Sequence, residues 1–95
     1  MIVLAVTWVA LQGKEAEVKS TFLKLQAASR KESGCKMYIV QQHQSEPQRF
    51  LVYEQYDNDA ALQAHRDSAH FQEYAAKILP QLGVRVSADF FRPLE

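Results

Sequence analysis

The sequence is short of cysteine, glycine, proline and net charge, and each shortage excludes something. One cysteine among 95 residues cannot close an internal disulfide, so nothing points to an oxidising compartment. Eleven Lys and Arg balance eleven Asp and Glu, for a formal net charge of zero. No basic surplus is left to hold nucleic-acid phosphates. The three glycines are isolated turn residues, so no Gly-rich phosphate loop or GxGxxG is present. There is no CxxC for structural zinc and no GxSxG nucleophile elbow. The apolar run from Met1 stops at Gln12, well short of the roughly 20 residues that a membrane helix needs. It has no basic residue ahead of it and no small-residue cleavage pattern after it, so a signal peptide is not expected. The expected location is the cytoplasm, with neither membrane nor nucleic acid as partner.

What is plentiful is apolar side chain. Hydrophobic residues make up 47% of the chain, against disorder and generous for one small domain over residues 1–95. Ile2 to Leu11 is rich in β-branched residues and reads as a first strand that is apolar on both faces. Lys14 to about Glu32 reads as a helix with the stripe Val18, Phe22 and Leu25, stopped by a left-handed Gly34. Cys35 to Gln42 and Arg49 to Tyr56 read as strands around a polar turn. Asp57-Asn58-Asp59 can cap a short helix, and a second helical run starts near Ser68, with Pro80 expected to end or kink it. Val84 to Arg92 alternates as the last strand. The order β-α-β-β-α-β predicts an α+β, ferredoxin-like plan: a four-stranded antiparallel sheet with helices on one face. A doubly apolar first strand needs cover on the other face too. The chain has nothing left to supply it, so a second copy is expected, packed sheet to sheet as a homodimer.

Few residues carry chemistry. His65 and His70 are five apart, about 140° around one continuous helix and badly placed to act together. Asp67-Ser68 between them offers a break and a new cap, and a bend there would turn both imidazoles to one end of a cavity. Glu54 lies inside the apolar strand Phe50-Leu-Val-Tyr-Glu-Gln-Tyr56, where a carboxylate needs a partner or a raised pKa. Histidine suits proton transfer near neutral pH. The plainer reading is that the histidines cap a helix junction and bond Glu54 or the backbone. Two His and one Glu would also suit a metal, but the spacing is not distinctive, and no metal ligand is assigned. Cys35 reads as a small core residue. Trp8, Tyr56 and Tyr74 can flank a flat aromatic substrate, with Arg85 placing its oxygens, although most aromatics should be core or interface.

The run Phe50-Leu-Val-Tyr-Glu54-Gln-Tyr56, then Asp59-Ala-Ala61-Leu62-x-x-His65-x-x-x-x-His70-Phe71, with Ser33-Gly34-Cys35 ahead of the second strand, resembles the antibiotic biosynthesis monooxygenase family. The resemblance covers nearly the whole chain in order. It implies a dimeric α/β barrel and a substrate pocket between sheet and helices. It also implies oxidation of quinols, anthrones or related phenolics by O₂ without metal, flavin or other cofactor. Other members isomerise a phosphorylated signal-sugar derivative or degrade haem. The haem branch needs Asn, Trp and His where this chain has Thr7, His65 and Ala75, so it is disfavoured. The leading expectation is a cofactor-independent monooxygenase acting on a small electron-rich aromatic. His65 or His70 would be the base, Glu54 would orient one of them, and Trp8, Tyr56, Tyr74 and Arg85 would line the pocket. The alternatives are an isomerase or tautomerase using the same histidines, and a dimer that binds a small molecule without turnover.

Overall fold

The computed structural model describes all 95 residues. The elements are β1 (Ile2–Ala10), α1 (Glu15–Ser29), β2 (Cys35–Gln42), β3 (Arg49–Tyr56) and α2 (Asp59–Asp67). A π-helix (Phe71–Ile78), a short α3 (Leu79–Leu82) and β4 (Gly83–Phe91) follow. The strands form one sheet in the order β2-β3-β1-β4, every neighbour antiparallel. This is the ferredoxin-like arrangement expected from the element order.

The pleat sorts the side chains into two sets. Leu4, Val6 and Trp8 of β1 face the helices, beside Phe50, Val52 and Glu54 of β3. Val18, Phe22 and Leu25 of α1 close over them, with Leu79 and Leu82 of α3. The Phe22 ring meets Trp8 edge-on at 6.2 Å and Phe50 at 5.9 Å. The opposite face carries Met37, Ile39 and Leu51, all exposed.

The two sheet edges are treated differently. On β2 the outward backbone groups are occupied by α1: Val40 N–H donates to Gln26 Oε1 at 2.9 Å, and Arg30 Nε donates to the Tyr38 carbonyl at 2.9 Å. Such cover blunts an edge that would otherwise recruit another strand. On β4, Val84, Val86 and Phe90 remain exposed.

Three local expectations change. First, α1 ends at Ser29 rather than near Glu32, so Arg30 and Lys31 lie beyond it. Secondly, Gly34 is not left-handed, since the only positive φ in the chain is at Gly13. Gly34 is needed for room: a Cβ there would stand 2.4 Å from the Ala61 Cβ. It lets the turn before β2 press against the start of α2, where the Gly34 carbonyl also accepts from Asp57 N–H at 2.9 Å. Thirdly, Pro80 does not stop its helix, which runs on to Leu82. Pro80 falls in the first turn of α3, directly after the π-helix, a position where the missing donor of a proline is tolerated. No helix is long and apolar enough to cross a membrane.

Candidate active site

The break at Asp67-Ser68 is real and sets the geometry. Asn58 caps α2 by accepting from Ala61 N–H at 2.9 Å, and α2 ends at Asp67. Ser68 is extended (φ −66°, ψ 152°), and its hydroxyl serves both sides of the break. It donates to the His65 carbonyl at 2.6 Å and accepts from Phe71 N–H at 3.2 Å. The helix axis is thereby re-aimed, and the His65 and His70 rings lie 6.0 Å apart.

Both histidines meet on Glu32, in the turn between α1 and β2. His65 Nδ1 lies 2.8 Å from Glu32 Oε2, and His70 Nε2 lies 2.5 Å from the same oxygen. A carboxylate can only accept, so each of these nitrogens carries the hydrogen. That fixes the tautomer of a neutral His65: Nδ1–H points to Glu32 and Nε2 offers a lone pair. His65 is 2% exposed, ringed by Tyr56, Phe71 and Tyr38 at centroid distances of 5.0, 5.2 and 5.8 Å. Burial holds its pKa below the usual 6.5, against the pull of Glu32.

Glu54 is on the other side of that ring. Its Oε1 is 3.8 Å from His65 Nε2 and accepts the Tyr56 hydroxyl at 2.5 Å. The carboxyl is 5% exposed. Burial pushes its pKa up to about 7; the Tyr56 bond opposes the shift, Glu32 adds to it and Arg66 opposes it. Tyr56 is held firmly protonated by burial and by the neighbouring carboxylate. The Cys35 thiol is pushed up to about 11 by burial, with Glu32 and Glu54 adding to the effect, so it is no ready nucleophile.

A cavity of about 570 Å³ opens between sheet and helices, and 13 of its 19 lining residues are hydrophobic. Its polar wall includes Glu54, His65, Arg66 and Arg85. Trp8 and Arg85, both expected from the sequence, line it. Tyr56 stands behind Glu54 as its hydrogen-bond donor, and Tyr74 packs on the core, both outside the lining. His70 is also outside the lining; with Glu32 it forms the more exposed end of the cluster, at 20% and 17% of side-chain surface. The carboxylate nearer to His65 is Glu32, at 2.8 Å, rather than Glu54, at 3.8 Å. Sequence reasoning missed Glu32 because it sits in Arg30-Lys31-Glu32-Ser33, which reads as a solvated helix end. The one available signal was an acid two residues before a glycine that permits close packing.

Chemically, the cluster joins a buried neutral imidazole, its carboxylate partner and a second carboxyl poised near neutrality around an apolar cavity. This is the logic of an oriented general base. Glu32, His65 and His70 also place one carboxylate oxygen and two imidazole nitrogens within 4.8 Å, a donor set that suits a divalent metal.

The fold and cluster together define an α+β sheet protein with a buried histidine–carboxylate cluster beside an apolar pocket. A model of the antibiotic biosynthesis monooxygenase family matches residues 1–77, and the chain belongs to that family. No curated protein matches the sequence. Among solved structures, a Pseudomonas aeruginosa protein is 29% identical with a TM-score of 0.92, over 99% of this chain and 94% of that one. A conserved protein of unknown function from Bacteroides thetaiotaomicron VPI-5482, described as a possible oxidoreductase, is 27% identical with a TM-score of 0.89, over 95% of this chain and 94% of that one. A Nitrosomonas europaea protein is 22% identical with a TM-score of 0.92, over the full length of both, and shows a shared fold.

Proposed function

We propose that the protein is a cofactor-independent monooxygenase that oxidises a small electron-rich aromatic, such as a quinol, with O₂. The observation that carries this reading is the His65 imidazole, buried, held by Glu32 through Nδ1 and directed by Nε2 toward Glu54 on the wall of an apolar cavity. His65 Nε2 takes the proton from a phenolic hydroxyl, and the imidazolium that forms is paired with Glu32. The aromatic anion gives an electron to O₂, and the two radicals combine. The ring-bound peroxide then loses water: its O–O bond breaks, the ring carbon gives up its hydrogen and the ring becomes a hydroxyquinone, with His65 returning the phenolic proton to the departing oxygen and Glu54 placed to relay the other. The dry wall around Trp8 and Phe71 protects the anion from solvent. Because burial lowers the His65 pKa, the base stays free at pH values where an ordinary histidine is already protonated. The working unit is a homodimer that covers Met37, Ile39 and Leu51 on the open sheet face.

Oxygen uptake with dihydroquinones by metal-stripped protein is the test. Uptake above the no-enzyme rate that falls in His65→Ala supports the reaction. Uptake equal to the no-enzyme rate, or unchanged in His65→Ala, overturns it. A second reading, isomerisation by proton shuttling, draws on the presence of two acid–base groups, His65 and Glu54, on one cavity wall. It expects solvent deuterium in the product without oxygen consumption.

A further inference from the structure

Arg85 is in the cavity because β4 is irregular. Counting back along β4, Phe90 pairs with Leu4, Ala88 with Val6 and Ser87 with Thr7, so regular pairing would set Val86 opposite Trp8. The register instead shifts between Thr7 and Trp8, and Arg85 becomes the partner of Trp8. A bulge of this kind reverses which face a side chain takes. Without it, Arg85 would share the open sheet face with Ser87 and Asp89. With it, the guanidinium-bearing chain joins the lining of the cavity. Gly83 makes the fit possible, since a Cβ there would lie 2.6 Å from the Val9 carbonyl oxygen.

Neither cavity arginine has a carboxylate partner. The ion pairs of the chain involve Lys14, Lys36, Arg49 and the three histidines, never Arg66 or Arg85. The two occupy different places. Arg66 lies over the Phe90 ring at 5.9 Å, and Phe90, Leu4 and Glu54 share one row across the sheet. Arg66 is thus on the row of the reacting groups. Arg85 is on the row of Trp8, four residues further along β1, or about 13 Å at strand spacing. One apolar cavity therefore has an acid–base cluster at one end and an unpaired cation at the other.

We infer that the substrate is an elongated aromatic acid: its hydroxyl-bearing ring lies at His65 and Glu54, and an acidic group on its far end is read by Arg85. The inference rests on the reading that this cavity holds the substrate, and it deepens that reading by naming the substrate's charge and length. A guanidinium offers paired donors to a carboxylate, and at a partly apolar wall that contact discriminates against a neutral group. The remote contact also positions the ring for proton loss.

Trp8 is the only tryptophan and lines the cavity, so its fluorescence reports binding without any turnover. The probes are 3-(4-hydroxyphenyl)propanoate and its methyl ester, which differ in charge and little in shape. The acid is expected to quench with a Kd about tenfold below that of the ester. Arg85→Gln removes the preference by weakening the acid and leaving the ester unchanged, and Arg85→Lys keeps part of it. Equal binding of acid and ester overturns the inference. So does a preference that survives Arg85→Gln, or no quenching by the acid at millimolar concentration. Oxygen uptake separates the two readings. If uptake persists while the preference is absent, only this inference falls; if the preference holds while uptake is absent, only the reaction does.

Discussion

Each face of the sheet carries an exception to the usual distribution of polar and apolar groups. The face covered by helices holds the ionisable side chain Glu54 at 5% exposure, with His65 at 2% packed above it. The uncovered face displays Met37, Ile39 and Leu51 to solvent. A chain folding for its own stability would do the opposite, because a buried carboxyl costs free energy and an exposed apolar patch gains nothing. Each face therefore departs from the rule in the direction of an interaction. The covered face keeps two titratable groups where water is excluded, and burial disfavours the charged form of each. The open face keeps apolar surface where another surface can reach it.

The comparison can be broken from either side. The largest effect belongs to the covered face: His65→Ala should lower kcat with a dihydroquinone by about 10²–10⁴-fold, the range for a lost general base. A far-UV spectrum like wild type shows that the loss is chemical. Next comes the open face. Leu51→Asp puts a charge into the apolar patch and should weaken self-association by more than about a hundredfold, read by sedimentation equilibrium. A variant that associates as tightly as wild type would mean that this face is not the interface.

The third test asks what Glu54 costs. Its folded pKa, about 7, lies above the 4.5 of an ordinary glutamate. Below pH 4.5 both states hold the proton and there is no penalty. Between 4.5 and 7 the unfolded chain releases it while the folded one does not, so stability falls as pH rises, by up to about 3 kcal/mol. Glu54→Gln retains an acceptor for Tyr56 and should remove that fall, with a higher Tm than wild type at pH 8. The smallest expected effect is Gly34→Ala, which forces the turn carrying Glu32 away from α2. A loss of about 1–3 kcal/mol in denaturant unfolding is expected, partly restored by Ala61→Gly in the same chain.

Much of the covered face was legible in order of residues. The strands at Cys35–Gln42 and Arg49–Tyr56 stand where β-branched and aromatic runs put them, and Val18, Phe22 and Leu25 are buried as their spacing implies. The break at Ser68 was legible as well, because a cap residue between two apolar runs is a local signal. Glu32 was not. Its partners His65 and His70 are 33 and 38 positions away, and nothing local marks a charged turn residue as buried against them. Arg85 was visible as a candidate, but alternation alone would put it on the open face, and only the register shift against Trp8 moves it to the helix-covered face, where it lines the cavity while staying exposed.

The sequence by itself determined the element order, the apolar surplus, the helix break and the strand that carries Glu54, because each is written in the spacing of neighbours along the chain. The tertiary structure decided which carboxylate holds the histidines, which ring nitrogen of His65 meets Glu32 and which sheet face Arg85 takes. Those depend on contacts between distant segments: the packing of Gly34 on Ala61, and the pairing of β1 with β4. A register or a close approach is a property of two segments together, and neither segment states it alone.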